Sequence, residues 1–172
     1  NKNSCQGFIY VLKGNLRDIK LLQQQCEESE SFQLKLNWDM LQNRDNEEQN
    51  DFFHYEEGKL VGFVGLYGFG NKVELCGMVS PEWRRKGIFT GLFNQAVEEL
   101  RARKDKKLLV NAPANSLSAK GFLQQSDCVY NMSEYQMKWS ETPLQKHDSV
   151  LVRRSESRDL SDEVALEVQC FG

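Results

Sequence analysis

Residues 73–100 read VELCGMVSPEWRRKGIFTGLFNQAVEEL, and the fold is decided within this stretch. The alternating apolar pattern of 72–79 predicts a β-strand, and the segment 80–87 that follows is a cationic loop with one glycine. From residue 88 to about 104 the apolar side chains recur on one face, which predicts an amphipathic helix. The residues of that face are Ile88, Leu92, Phe93, Ala96, Val97 and Leu100.

The loop between the strand and the helix has the chemistry of an anion site. The first amides of a helix lack an intrahelical partner and carry the positive end of the helix dipole. Gly87 lets the backbone take a positive φ or approach a ligand closely. Arg84, Arg85 and Lys86 add charge. A phosphate or pyrophosphate is the ligand that such a terminus favours.

Two common phosphate motifs are excluded by inspection. The sequence contains no G-x-x-x-x-G-K-[ST], which argues against a P-loop nucleotidase. It also lacks G-x-G-x-x-G followed by an acidic residue, and Gly68-Phe69-Gly70 lies between two predicted strands rather than before a helix. A Rossmann dinucleotide site is therefore disfavoured.

The rest of the chain supplies a mixed set of elements. Glu57-Gly58-Lys59 lies between the runs 52–56 and 60–67 and predicts a hairpin. The order is β-α-α-β-β-β-loop-α-β-α-β-β, an α/β (α+β) arrangement with a mixed sheet and helices on its faces. The remaining predicted elements are strands at 7–12, 52–56, 60–67, 108–111, 129–132 and 135–139, and helices at 15–26, within 29–50 and at 116–125.

The strand, loop and helix resemble the signature of the GCN5-related N-acetyltransferase (GNAT) family, Val-x-Pro-x-x-Arg followed by Arg-x-x-Gly-x. They stand here as Val79-Ser80-Pro81-Glu82-Trp83-Arg84 and Arg84-Arg85-Lys86-Gly87-Ile88-Phe89. Phe89 departs from the Gly or Ala usual there, but its side chain can point away while its amide serves the phosphates. The resemblance covers the element order over 8–139. It implies a mostly antiparallel central sheet with a splayed strand pair.

The resemblance also implies a cosubstrate and its contacts. Acetyl-CoA would lie where strand 73–79 splays from strand 108–111, with the backbone of Met78 and Val79 bonding the pantetheine amides. Asn115 matches a family asparagine that contacts the cofactor. Turn and cap chemistry is the preferred interpretation of Asn111. The expected pyrophosphate contacts are Arg84, Arg85, Lys86, Gly87, Ile88, Phe89 and Thr90.

Transfer of an acetyl group to an amine requires a base, and an acid can assist the leaving thiolate. Glu74 is the only carboxylate of the central strand and is the candidate base, although alternation places it on the face of Cys76 and Met78. Many family members carry a tyrosine that acts as the general acid late in the helix that corresponds to 116–125, where this chain has no tyrosine. Tyr135 is the candidate acid instead.

Other residues are given structural interpretations. Cys76 has no histidine near it in sequence and is read as a small buried hydrophobe, and His54 as a packing residue of its strand. Tyr67 could line an acceptor pocket. The acidic run 45–51 is interpreted as a solvated loop, with attraction of a cationic amine as the alternative.

We expect a GNAT domain at 1–141, a linker at 142–149 and a βα segment at 150–172. FIYVLKGNLRDIKLLQQQC and VLVRRSESRDLSDEVALEVQC share the order strand, turn, Arg-Asp and helix. The segment is thus either the start of a second GNAT domain or a last strand and helix of the first.

Composition narrows the class of protein. The net charge of −3 supplies no concentrated basic surface, so no nucleic-acid partner is expected. The five cysteines are far apart and form no metal motif, so no metal is expected, and a reducing compartment fits. No apolar run is long enough to cross a bilayer, which predicts a cytoplasmic protein without membrane contact.

The function expected is direct transfer of an acetyl group from acetyl-CoA to a primary amine, of a small molecule or a peptide, in a ternary complex. The alternative is a catalytically degenerate acyl-CoA-binding regulatory domain. A homodimer or a second GNAT domain could accompany either.

Overall fold

A computed structural model describes residues 13–44, 48–103, 107–135, 137–138 and 153–171. They form two compact units, divided between Tyr130 and Asn131. The first holds helices α1 (Lys13–Glu30), α2 (Trp38–Gln42), α3 (Ile88–Ala102) and α4 (Leu117–Leu123). Its strands are β1 (Asp51–Glu56), β2 (Lys59–Phe69), β3 (Lys72–Val79) and β4 (Lys107–Val110).

The four strands form one mixed sheet in the order β1-β2-β3-β4. The first three strands are antiparallel neighbours, and β4 runs parallel to β3. Glu57 and Gly58 join β1 to β2 with φ values of 50° and 77°, as a tight hairpin turn requires. The sequence-based prediction of a mixed, mostly antiparallel sheet flanked by helices is confirmed.

Each face of the sheet carries its own apolar cluster. Side chains of α1 and α2 pack on one face around Phe63 and Tyr67, which are fully buried. Side chains of α3, among them Leu92 and Ala96, pack on the other face against Leu75. Because β2 is covered on both sides, eight of its residues in succession are buried, from Leu60 to Tyr67.

Two predicted strands are wrong. Residues 129–132 and the described part of 135–139 have no regular structure. Val129 and Met137 are 91% and 92% exposed, so alternating apolar character here reflects no packed sheet face. β-Propensity describes fit to a half-buried pleated surface, and without such a surface it does not produce a strand.

The second unit contains α5 (Leu160–Phe171), entered through a 3-10 turn at Ser157–Asp159. The helix starting at residue 160 was predicted. Asp159 accepts two hydrogen bonds from Arg153 at 2.6 and 2.7 Å, and Arg153 and Arg154 are not in a strand. The predicted strand at 7–12 and the linker at 142–149 lie outside the described residues.

Candidate functional site

The pairing of β3 with β4 ends halfway along β3. The last paired residues are Leu75 and Val110, and one further hydrogen bond runs from Asn111 N to Leu75 O at 2.9 Å. Beyond this point β3 continues to Val79 beside β2 only. The two strands therefore diverge where the sequence predicted a splayed pair.

Strand alternation decides which main-chain groups face the opening. Since Leu75 O points to β4, the main chains of Gly77 and Val79 point to the same edge. Met78 turns its main chain toward Phe63 of β2. The main chain of Gly77, which the sequence did not point to, therefore faces the open edge, whereas that of Met78 faces β2.

The loop after β3 connects the end of this open edge directly to the start of α3. A 3-10 turn at Pro81–Trp83 is followed by Arg85 at φ 63° and Gly87 at φ 79°, both in the left-handed region. Gly91 N donates to Gly87 O at 2.9 Å, which closes the first helical turn. The amides of residues 88–90 therefore precede the first intrahelical bond, and a helix start of this kind is a candidate anion site.

The three cations of the loop have different positions. Arg85 and Lys86 are exposed, and Lys86 Nζ lies 4.0 Å from the centre of the Trp83 ring, a cation–π contact. Arg84 turns inward instead. Its Nε donates to Val79 O at 3.1 Å, and its Nη1 forms an ion pair with Glu30. The side chain of Arg84 is thus committed to the protein.

A cleft of about 310 Å³ joins the open edge to the anion site. It passes through the sheet at the splay, because its wall includes Met78 from the α1 face and Phe89 from the α3 face. Its other lining residues include Cys26, Phe32, Leu34, Gly77, Val79, Arg84, Arg85, Gly87, Ile88, Thr90, Asn111, Ser116 and Phe122. The lining is largely apolar, with polar side chains from the loop before α3 and from the segment between β4 and the end of α4.

Glu30 contacts two residues that line this cleft, Arg84 and Ser116, and no sequence pattern predicted it. Its Oε1 pairs with Arg84, and its Oε2 accepts a hydrogen bond from Ser116 Oγ at 2.7 Å. Burial raises the pKa of the Glu30 carboxyl, but hydrogen bonds from Ser116 and Ser118 and the charge of Arg84 outweigh it and leave the pKa below its ordinary value. No local pattern marks Glu30, since its partners lie 54 and 86 residues away.

Phe89 points its ring away from the loop, as expected. The ring stacks on Phe93 and meets Phe122 edge to face with centroids 4.6 Å apart. It also covers Gly77, where an added Cβ would lie 2.8 Å from Phe89 Cε2. The bulky residue is thus accommodated by a glycine on the facing strand, and its amide remains at the helix start.

Glu74 lies beside the splay, on the α1 face. Its Oε2 accepts a hydrogen bond from Asn111 Nδ2 at 3.1 Å and lies 3.7 Å from Lys35 Nζ. Asn111 itself lines the cleft. The Asn111 side chain therefore connects Glu74 to the cleft, rather than only capping a turn.

Three other residues considered in the sequence analysis, Cys76, His54 and Tyr67, do not line the cleft. Cys76 is buried, and burial raises the pKa of its thiol to about 12, which suits an inert core thiol. His54 Nε2 lies 2.9 Å from Glu56 Oε1 in the outer strand β1. Tyr67 is fully buried in the core, so the idea that it lines an acceptor pocket is wrong for the cleft described here.

The remaining residues singled out from the sequence are Asn115 and the acidic run in the first unit and Tyr135 in the second. Asn115 Nδ2 donates to Ser31 O at 3.1 Å, which ties the loop before α4 to the end of α1. Tyr135, in the second unit, is 88% exposed. Asp51 of the acidic run is buried in β1 and paired with Arg44, so this part of the run is not a solvated loop.

The described residues contain no group of three or more His, Cys, Asp or Glu side chains placed to hold a metal ion. None of the helices in this part of the chain combines the length and apolar character of a membrane span.

A family model described as the acetyltransferase (GNAT) family matches residues 15–125. A comparison with curated protein sequences gave no match.

Solved structures share the fold at low sequence identity. A GCN5-related N-acetyltransferase from Sphaerobacter thermophilus matches with a TM-score of 0.56 and 16% identity, over 67% of this chain and 41% of that one. The ribosomal-protein-S18-alanine N-acetyltransferase from Escherichia coli matches with a TM-score of 0.53 and 17% identity, over 68% and 73%. PaiA N-acetyltransferase from Thermoplasma acidophilum, in complex with coenzyme A, gives 0.54 and 13%, over 73% and 91%.

Proposed function

The chain belongs to the acetyltransferase (GNAT) family, and on that basis we propose that it transfers an acetyl group from acetyl-CoA to a primary amine. The observation that carries the proposal is the continuity of the open β3 edge with the start of α3 inside one cleft. An extended amide chain fits the first feature, and a pyrophosphate fits the second. Coenzyme A contains both groups in this order.

The residues present fit this cosubstrate. The amides of Ile88, Phe89 and Thr90 would hold the pyrophosphate, with charge from Arg85 and Lys86. The main chain of Gly77 and the amide of Val79 would bond the pantetheine amides, since the Val79 carbonyl already accepts hydrogen bonds from Arg84 and Cys26. The predicted contact of Asn115 remains part of the proposal. A structural neighbour in complex with coenzyme A supports this assignment. Arg84 would not contact the cosubstrate directly but would hold Val79 and Glu30 in place.

The reaction requires a neutral amine in the cleft. Acetyl-CoA supplies an acetyl thioester, whose carbon–sulfur bond breaks as the amine nitrogen forms the new carbon–nitrogen bond. The ammonium form of the acceptor must lose a proton first, and Glu74, linked to the cleft by Asn111, is the proposed base. Tyr135 remains the proposed acid for the leaving thiolate. The acceptor, a small molecule or a peptide amine, would enter from the α1 face beside Phe32 and Leu34.

One observation favours the second candidate, an acyl-CoA-binding domain without turnover. Among the described residues that line the cleft there is no Tyr, His, Asp or Glu. A cleft that binds the cosubstrate but lacks a proton-transfer group would serve as a sensor or regulatory domain. Binding is common to both candidates, and only turnover distinguishes them.

The test has two steps. Thermal melting with acetyl-CoA, with adenosine as control, should raise the melting temperature, because a ligand that binds only the native state stabilises it. Release of the coenzyme A thiol is then measured over a panel of small amines and peptides. No shift at millimolar acetyl-CoA refutes both candidates, whereas a shift without thiol release for any acceptor favours the regulatory domain.

We also propose that residues 150–172 begin a second domain of the same fold, in a cytoplasmic protein. The support is α5, which follows an Arg-Asp turn and carries exposed apolar side chains at Leu160, Val164, Leu166 and Val168. A chain ending at residue 141 should then retain the acetyl-CoA response. Loss of that response would place the tail in the first domain.

A further inference from the structure

We propose that Glu30 is a positioning residue that joins the two walls of the cleft and thereby sets its affinity for acetyl-CoA. The proposal rests on the proposed function. The residues concerned are Glu30, Arg84 and Ser116, named here the Glu30 clasp. Each belongs to a different part of the first unit: the end of α1, the loop before α3 and the start of α4.

The first half of the clasp fixes the loop wall. Arg84 pairs with Glu30 Oε1 and also donates from Nη2 to Ser29 Oγ at 3.4 Å. Its Nε donates to Val79 O at 3.1 Å, and Cys26 Sγ donates to the same carbonyl at 3.4 Å. The last residue of β3 is therefore held from α1, directly and through Arg84. This contact directs the end of β3 away from β4.

The second half fixes the opposite wall. Ser116 is 2% exposed, and its Oγ donates to Glu30 Oε2 at 2.7 Å. The same oxygen accepts a hydrogen bond from Ala119 N at 3.2 Å, as the N-cap of α4. One carboxylate therefore determines where α4 begins relative to the loop before α3. Both positions line the cleft through Arg84 and Ser116.

The clasp also explains how the charges of the loop are divided. Arg84 is neutralised by Glu30, so its guanidinium is held for structure. The amides of residues 88–90 and the exposed Arg85 and Lys86 remain to meet an anion. A carboxylate near an anion site would by itself repel the ligand, but Glu30 is compensated by Arg84 and two serines.

The test compares Glu30→Ala with Glu99→Ala. Glu99 also forms a partly buried ion pair, with Arg103 at 3.0 Å, and it lies toward the other end of α3. Calorimetric titration with acetyl-CoA, well below both melting temperatures, should give a Kd raised about tenfold in Glu30→Ala, the size of a lost charged hydrogen bond. In Glu99→Ala the Kd should stay within about twofold, although melting falls in both.

A double-mutant cycle tests whether Glu30 and Ser116 act together. Ser116→Ala should raise the Kd by less than Glu30→Ala, and the double variant should bind no more weakly than Glu30→Ala alone. If turnover is found, KM for acetyl-CoA should follow the Kd, while kcat at saturating acetyl-CoA changes by less than about twofold.

The outcomes separate the two proposals. If the unaltered chain does not bind acetyl-CoA, the proposed function fails. If it binds and Glu30→Ala binds equally well or more tightly, the clasp is refuted and the proposed function stands. Full additivity of the Glu30 and Ser116 effects would also overturn the joint role.

Discussion

Gly87 allows a sharp test of the anion site because the chain contains a matched control. Gly87 has φ 79° and Gly58, in the β1–β2 turn, has φ 77°. At neither position does an added Cβ have a neighbour within 4 Å. The same substitution therefore imposes the same backbone strain at both sites, and only Gly87 adjoins the start of α3. We expect Gly87→Glu and Gly58→Glu to differ in acetyl-CoA binding but not in stability.

The magnitudes follow from two separate effects. Holding a side chain in the left-handed region costs about 1–2 kcal/mol, which applies equally to both variants. For an assumed separation of roughly 6 Å, the new carboxylate of Gly87→Glu would also repel a phosphate bound at the start of α3. At an effective dielectric constant of about 20, that repulsion is about 3 kcal/mol. It corresponds to a Kd about a hundredfold higher.

The assay is calorimetric titration with acetyl-CoA together with urea unfolding of each variant. The two variants should lose similar free energy of unfolding, and only Gly87→Glu should lose affinity. Gly87→Ala, with strain but no charge, should bind better than Gly87→Glu. Higher salt should narrow that gap, because an exposed repulsion is screened. Equal affinity of the Gly87→Glu and Gly58→Glu variants would refute an anion site at this helix start.

Three further predictions concern the protein outside this comparison. Gly77→Ala should lower the free energy of unfolding by about 1–3 kcal/mol, since its Cβ would lie 2.9 Å from a backbone carbonyl, while Gly68→Ala in the same sheet should be near neutral by urea unfolding. Iodoacetamide should label Cys128 in the native protein, but Cys76, with a pKa of about 12, only after unfolding, as read by peptide mass spectrometry. The pKa of Glu30 is lowered from its ordinary value of 4.5, so its ionised form stabilises the fold above pH 4.5, and this stability is lost as the pH falls through the folded-state pKa. The difference in melting temperature between the unaltered chain and Glu30→Gln should therefore shrink below pH 4.5. A difference that does not change with pH would contradict this assignment.

Local sequence was enough to predict the central elements. The hairpin at Glu57–Gly58, the strand 72–79 and the helix beginning at Ile88 depend on turn residues and apolar periodicity within a few positions. The loop could be predicted for the same reason, because Gly87 and the three cations before it are adjacent in sequence. Contacts between neighbours along the chain leave a pattern that can be read directly.

Contacts between distant residues leave no such pattern. Glu30 lies in an acidic helix end that looks like ordinary surface, and only the fold brings Arg84 and Ser116 to it. Gly77 gained its role from strand register, which depends on where β4 stops pairing. The exposed residues near Val129 illustrate the opposite error, since their apolar character predicted a strand that the described structure lacks.

Phe89 belongs to a local sequence motif, but its side chain is accommodated by contacts with distant residues. The motif has a small residue at this position, and a side chain as large as phenylalanine could close the cleft. The structure places the ring against Phe122 and over Gly77, so the volume added at the helix start is taken from the facing strand. The amide of Phe89 needs no side chain to meet an anion, since helix geometry alone orients it. A helix-terminus anion site thus tolerates a bulky residue wherever a glycine opposite leaves room for it.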